Sequence, residues 1–181
     1  AKTMVERYTD YSSPTAWYRL DQLHRHLEVS YSDYCRSEAE DETNLDRMIT
    51  TVTRAYYETI ELIAETFSDA LIKDNFRLDG LLTQRQIFSK IVNPNLSPGK
   101  TAYFLVDALR YEMGVDLCES LNAKKIKFAL ATPPTITPIG MAALLPRAEE
   151  DFGLVNTKTK TAPLASKIDD KVLKTREDRI K

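Results

Sequence analysis

Cysteine and histidine are scarce, long apolar runs are missing, and neither charge sign dominates. The two cysteines, Cys35 and Cys118, fall far apart in different expected elements. That excludes a disulfide framework and a paired-cysteine metal site, and both are expected as free, buried thiols of a reducing cytoplasm. The two histidines, His24 and His26, stand two apart on an expected helix and point to different faces. They read as solvated or partly buried side chains, not metal ligands. No apolar run approaches the roughly 18 residues that span a bilayer, and the polar, helix-like start Ala1-Lys-Thr-Met-Val-Glu-Arg7 is not expected to act as a leader sequence. With 25 basic and 27 acidic residues the net charge is −2, which leaves no nucleic-acid footprint over the whole molecule. Gly-x-Gly-x-x-Gly and Gly-x-Ser-x-Gly are both absent. Ser97-Pro-Gly-Lys-Thr101 ends like a phosphate-binding loop, but Pro94 stands where its first glycine belongs and the stretch precedes a strand.

What is present is an ordinary soluble composition, 43% hydrophobic and 29% charged, long enough for one large domain or two small ones. Residues 1–98 read as helical. Ser13-Pro14 suits a helix start, and Leu20, Leu23, Leu27, Tyr31 and Tyr34 then share one face. The charged run 36–43 is expected as a loop. Leu45, Ile49, Val52, Tyr56, Ile60, Ile63, Phe67 and Leu71 follow as a continuous seam on a long helix that should pack antiparallel on its predecessor and end at Asp74-Asn75. A shorter helix is expected over 81–92. Residues 93–99 are dense in turn formers and set the domain boundary: 1–98 helical, 99–181 α/β.

Beyond Gly99 the pattern predicts strand 101–106, a helix over 108–121, a turn at 122–125, strand 126–132 and a helix over 138–145. Apolar on both faces, these runs suit central parallel strands, so the fold class is α/β. In the tail, 151–155 suits a short extended piece and 166–173 a turn between short strands. Thr175 with Asp178 three residues on suits a helix start. Each strand end delivers a polar residue to the edge where open α/β sheets bind ligands: Asp107 and Thr137. Both have a plain reading as helix N-caps, with Pro138 at the first helical position. Both also have a chemical reading. A carboxylate is a hard ligand for Zn²⁺ or Mg²⁺. A threonine hydroxyl becomes a nucleophile when a cation lowers its pKa and a helix N-terminus offers amides to phosphoryl oxygens. Asp107-Ala-Leu109 lacks the second acid of an Asp-x-Asp phosphatase pair.

Phe104-Leu-Val-Asp-Ala-Leu-Arg-Tyr-Glu112 followed by Thr132-Pro-Pro-Thr-Ile-Thr-Pro-Ile-Gly-Met-Ala-Ala-Leu-Leu-Pro146 closely resembles the PglZ domain. That family belongs to the alkaline phosphatase superfamily and serves bacterial BREX phage-defence systems. The resemblance is strong over about residues 99–150, and 1–98 looks like the segment preceding the domain. It implies an alkaline-phosphatase-like parallel sheet, incomplete here, in a cytoplasmic phosphatase or phosphodiesterase. It further implies other BREX proteins as partners, DNA only indirectly, and no membrane. By similarity Asp107 is the first metal ligand, Thr137 the nucleophile and Thr135 the second choice, while Arg110 either meets phosphate or is a surface arginine. Superfamily sites use two metals and further Asp and His ligands late in the domain; after Leu145 no Asp/His cluster appears here, and Asp169-Asp170 falls in an expected turn. It is therefore expected to be a fragment that binds metal weakly and is inactive alone. The alternative is a non-catalytic scaffold or interaction module of the defence complex.

Overall fold

The computed structural model describes every residue except 38–42, 97–99, 124, 160–162 and 181. Most of the expected loop 36–43, the end of the 93–99 boundary, the start of the rejected phosphate-loop motif Ser97–Thr101 and part of the 122–125 turn therefore lie outside the described residues. The chain forms two compact units, 1–79 with 110–126 and 80–109 with 127–181, which cut across the 98/99 boundary. Among the described residues, no helix is long and apolar enough to cross a membrane.

The first unit is helical: α1 Lys2–Thr9, α2 Tyr18–Arg36, α3 Thr43–Lys73 and α4 Tyr111–Ser120. The first strong helix starts four residues later than Ser13-Pro14 suggests, because Ser13 Oγ accepts the Thr15 amide at 3.2 Å and closes a local turn instead. α2 and α3 run antiparallel as expected. Tyr56 donates to Asp21 Oδ1 at 2.7 Å, and Tyr31 near the other end of α2 donates to Asp46 early in α3. His24 is buried and stacks on Tyr56 with ring centroids 3.8 Å apart. The buried face of α2 is therefore rotated from the expected one, leaving Leu20 and Leu23 exposed. Hydroxyl–carboxylate bonds, not leucine packing alone, hold this pair. Tyr8 also donates to Asp21, and burial, reinforced by that bond, holds its hydroxyl well above the ordinary tyrosine value. On α4, Asp116 accepts from Gln22 and pairs with Arg25 and His26. Ala16, Tyr18 and Val115 form the small core between α2 and α4. The cysteines are not both buried: Cys35 is exposed on the last turn of α2, and Cys118 is half-buried beside Ala123 O.

The second unit contains α5 Thr137–Ala143, α6 Ala148–Asp151, α7 Arg176–Ile180 and strands β1 Gly153–Asn156, β2 Leu164–Ile168 and β3 Lys171–Leu173. The strands form one antiparallel sheet in the order β1-β2-β3. Asp169 and Asp170, both at positive φ, make the tight β2–β3 turn where the sequence expects one. Thr175 and Asp178 exchange capping bonds at the start of α7. Ala142, Ala148, Ile168 and Leu173 make the core, with Leu145 and Phe152 against it.

The fold is thus mixed helix and strand, but the expected strands 101–106 and 126–132 form no ladder among the described residues. A single parallel bridge, Thr83↔Leu130, touches the second run. Strand preference in runs such as Tyr103-Phe-Leu-Val106 reflects packing on a neighbouring strand and does not create one. Phe104 is accordingly 83% exposed. The helix expected over 81–92 is a 3₁₀ turn at Gln84–Gln86 and a π turn at Phe88–Val92.

Glu149 on α6 ties these turns down. It accepts from Ser89 and from Gln86 at 3.0 Å, with Lys90 Nζ at 3.7 Å. The Ser89 bond foremost holds its carboxyl below the ordinary 4.5. A lowered folded-state pKa stabilises above the unfolded value and is lost as pH falls through the folded one. The thermal midpoint should fall as pH drops below about 4.5, and Glu149→Gln should flatten that acid limb.

Candidate functional site

Asp107 and Thr137 both lie in the second unit. Neither caps a helix. α4 begins at Tyr111 with Arg110 as its N-cap, so Asp107 stands ahead of it in a turn, followed by Ala108 at φ 55. Asp107 Oδ1 accepts the Ala108 amide at 2.9 Å. This local bond fixes the carboxylate and competes with the helix expected to start at 108. Thr137 is the first residue of α5, whose N-cap is Ile136. Its hydroxyl turns away from the helix and donates to Asp107 Oδ2 at 3.2 Å. Both residues are exposed. Two side chains 30 residues apart in sequence are thus joined by a direct hydrogen bond, one carboxylate oxygen held by backbone and the other facing the threonine.

The remaining candidates sit differently. Thr135 is exposed, and no hydrogen bond of its side chain forms among the described residues. Arg110 belongs to the first unit, where its Nε stands 2.8 Å from Oε1 of the fully buried Glu112. It neutralises that carboxylate, and the phosphate-binding reading finds no support in that pairing. The expected cluster of helix amides is also reduced. Pro138 has no N–H, and the Ile139 and Gly140 amides both bond Ile136 O, at 3.0 and 2.9 Å. Only the Thr137 N–H at the head of α5 has no partner among the described residues.

The donor chemistry suits a hard cation. Two oxygens 3.2 Å apart match neighbouring ligands of one ion at metal–oxygen distances of about 2.0–2.2 Å. The pair supplies two donors, and no group of three His, Cys, Asp or Glu that could hold a metal occurs among the described residues.

Sequence reasoning missed Gln84. Leu130 N donates to Leu82 O, and Gln84 N donates to Leu130 O, both at 2.8 Å. Gln84 Oε1 then accepts the Thr132 amide at 2.9 Å, extending this short parallel pairing with a side chain in place of a strand carbonyl. Its Nε2 lies 3.4 Å from where a Cβ on Gly140 would sit. Gln84 thus grips the 132–137 loop at its start and abuts α5 one turn past Thr137. Behind α5, the buried Ser166 donates to Pro138 O at 3.3 Å. No periodicity marks such a residue, and the helix expected over 81–92 would have made Gln84 an ordinary helix position. Gln84→Ala should speed hydrogen exchange at the Thr132 amide about fivefold, the effect of a bond worth about 1 kcal/mol. Exchange across β1–β3 should not change, and Gln84→Glu, which keeps an acceptor oxygen, should protect Thr132.

Residues 87–159 match the family described as BREX system PglZ alkaline phosphatase-like domain. The chain is also similar to the alkaline phosphatase-like protein BrxZ of Escherichia coli O9:H4 (strain HS), 32% identical over 82 residues. That alignment covers 41% of this chain and 10% of the relative, so the chain spans about a tenth of the relative's length. No solved structure matches.

Proposed function

We propose, for a chain whose residues 87–159 match the PglZ domain family, that it forms part of a metal-dependent phosphoester hydrolase in a BREX-type phage-defence complex of the bacterial cytoplasm. The observation that carries this reading is the hydrogen bond from Thr137 to Asp107. In the proposal Thr137 is the nucleophile and Thr135 the second choice. Asp107 holds Zn²⁺ or Mg²⁺ together with ligands from outside residues 1–181, within the family's larger parallel sheet. The bound cation supplies positive charge that lowers the hydroxyl pKa and offsets phosphoryl charge.

This chain's own residues do the rest. Asp107 orients the Thr137 hydroxyl and accepts its proton, which passes on to solvent. Thr137 Oγ1 bonds to phosphorus as the bond to the leaving oxygen breaks, and the leaving aryloxide or alkoxide carries away the electron pair. Water then cleaves the threonine ester and restores the hydroxyl. The lone Thr137 N–H faces the phosphoryl oxygens. The full-length protein with added Zn²⁺, Mg²⁺ or Mn²⁺ should hydrolyse bis(p-nitrophenyl) phosphate, and residues 1–181 alone should not. Failure of the full-length protein with every metal rejects the enzyme reading.

A second reading, an interaction scaffold, is favoured by the exposed apolar side chains of α3. It predicts that phage protection survives Asp107→Ala and Thr137→Ala and fails when residues 1–79 are removed. Loss of protection in the point variants with assembly intact returns the argument to catalysis.

A further inference from the structure

The seam expected along α3 is only half-buried, and one of its members, Val52, is 50% exposed. Val52 belongs to a different stripe. Met48, Val52, Ala55, Thr59, Leu62 and Thr66 recur in steps of four and three, and all are exposed, Met48 and Leu62 at 65% each. The threonines do not interrupt it. Thr59 and Thr66 donate their hydroxyls to the Ala55 and Leu62 carbonyls of their own helix, at 2.8 and 2.7 Å, so their polar groups are satisfied within the helix. At 100° per residue this stripe lies roughly a quarter turn or more from the side that meets Asp21, His24 and Tyr31 of α2. It is a separate face.

Charge runs beside it, on the flank away from α2, and is sorted by sign. Arg47 and Arg54 occupy the first half of that flank, and Glu58, Glu61, Glu65 and Asp69 the second half. All six are exposed, and none forms an ion pair among the described residues. Such a helix complements itself in one orientation only. Laid parallel about a two-fold axis, the two charged flanks fall on opposite sides of the pair and complement nothing. Laid antiparallel about a two-fold axis near Tyr57, Arg47 faces Asp69 and Arg54 faces Glu61, twice over. The stripe registers in the same arrangement: Met48 meets Thr66, Val52 meets Leu62, and the small pair Ala55 and Thr59 meets at the axis, where helices approach closest. This is the isologous pairing of a symmetric dimer, with flanking charges setting orientation as they do in coiled coils.

We propose that this face of α3 is the dimerisation surface through which two copies of the protein pair antiparallel. The proposal is independent of the phosphoester chemistry. Sedimentation velocity on the full-length protein should show a reversible dimer that weakens as salt rises from 50 to 500 mM, because the flanking pairs are exposed and screened. Arg54→Glu and Glu61→Arg should each weaken dimerisation about tenfold or more. The double variant restores opposite charges across the axis and should return to within about threefold of the parent. Circular dichroism controls for helix loss in all three. A full-length protein that stays monomeric at 100 μM overturns the proposal, as does a dimer indifferent to the single reversals. Single variants that weaken the dimer without rescue in the double overturn the antiparallel pairing.

Discussion

Thr137→Ala in the full-length protein is expected to cut metal-dependent phosphodiester turnover by at least about a thousandfold, the scale seen when a nucleophile is deleted. The expectation rests on geometry and on what the residue is not doing. Thr137 caps no helix, since Ile136 holds that position and no side-chain cap bond forms. Its hydroxyl is exposed and donates across the unit to Asp107. Removing it should therefore cost little stability, within about 1 kcal/mol for one exposed hydrogen bond. Thr137→Ser keeps the oxygen and should stay within about tenfold of the parent. An alanine variant with unchanged turnover moves the nucleophile elsewhere, first to Thr135, whose alanine variant then decides.

Asp107→Asn is expected to raise the metal concentration needed for half-maximal turnover by about a hundredfold. Losing even a residue that only supports a ligand costs about 10–100-fold, and asparagine removes the charge while keeping a similar shape. The variant should retain its fold, because the Ala108 amide can bond the asparagine carbonyl oxygen as it bonds Asp107 Oδ1 at 2.9 Å. Calorimetric metal titration of the same variant gives a readout that does not depend on turnover. If Asp107→Asn binds metal as the parent does but loses turnover, Asp107 acts on the Thr137 proton and not on a cation.

The parts of the fold legible in the sequence were those whose cause is local. Asp74-Asn75 follows the end of α3, Asp169-Asp170 make their turn, and Thr175 with Asp178 caps α7. Residues within four positions of each other decide each of these. The antiparallel α2–α3 pairing was legible too, because a long 3–4 spacing implies a partner. The rotation of α2 was not. It follows from Asp21 receiving Tyr8 and Tyr56 and from His24 stacking on Tyr56, contacts between residues up to 35 apart.

Residues 101–106 show the converse limit. Their composition reads as strand, but a ladder needs a neighbour that no local pattern names. The site divides the same way. Asp107 and Thr137 were legible as polar residues ahead of helices, and the family resemblance singled them out from ordinary caps. Their direct bond depends on Gln84 and Ser166 holding the 132–137 loop and α5 from behind. Neither residue carries a spacing signal.

Acid-quenched full-length protein, taken during turnover of bis(p-nitrophenyl) phosphate and digested, tests the central claim most directly. Mass spectrometry of the peptide spanning Ile136-Thr137-Pro138 should find the p-nitrophenyl phosphoryl group, or its hydrolysed phosphate, esterified to Thr137. Turnover that proceeds with that threonine unmodified at every quench time, and with undiminished rate in Thr137→Ala, would contradict the account.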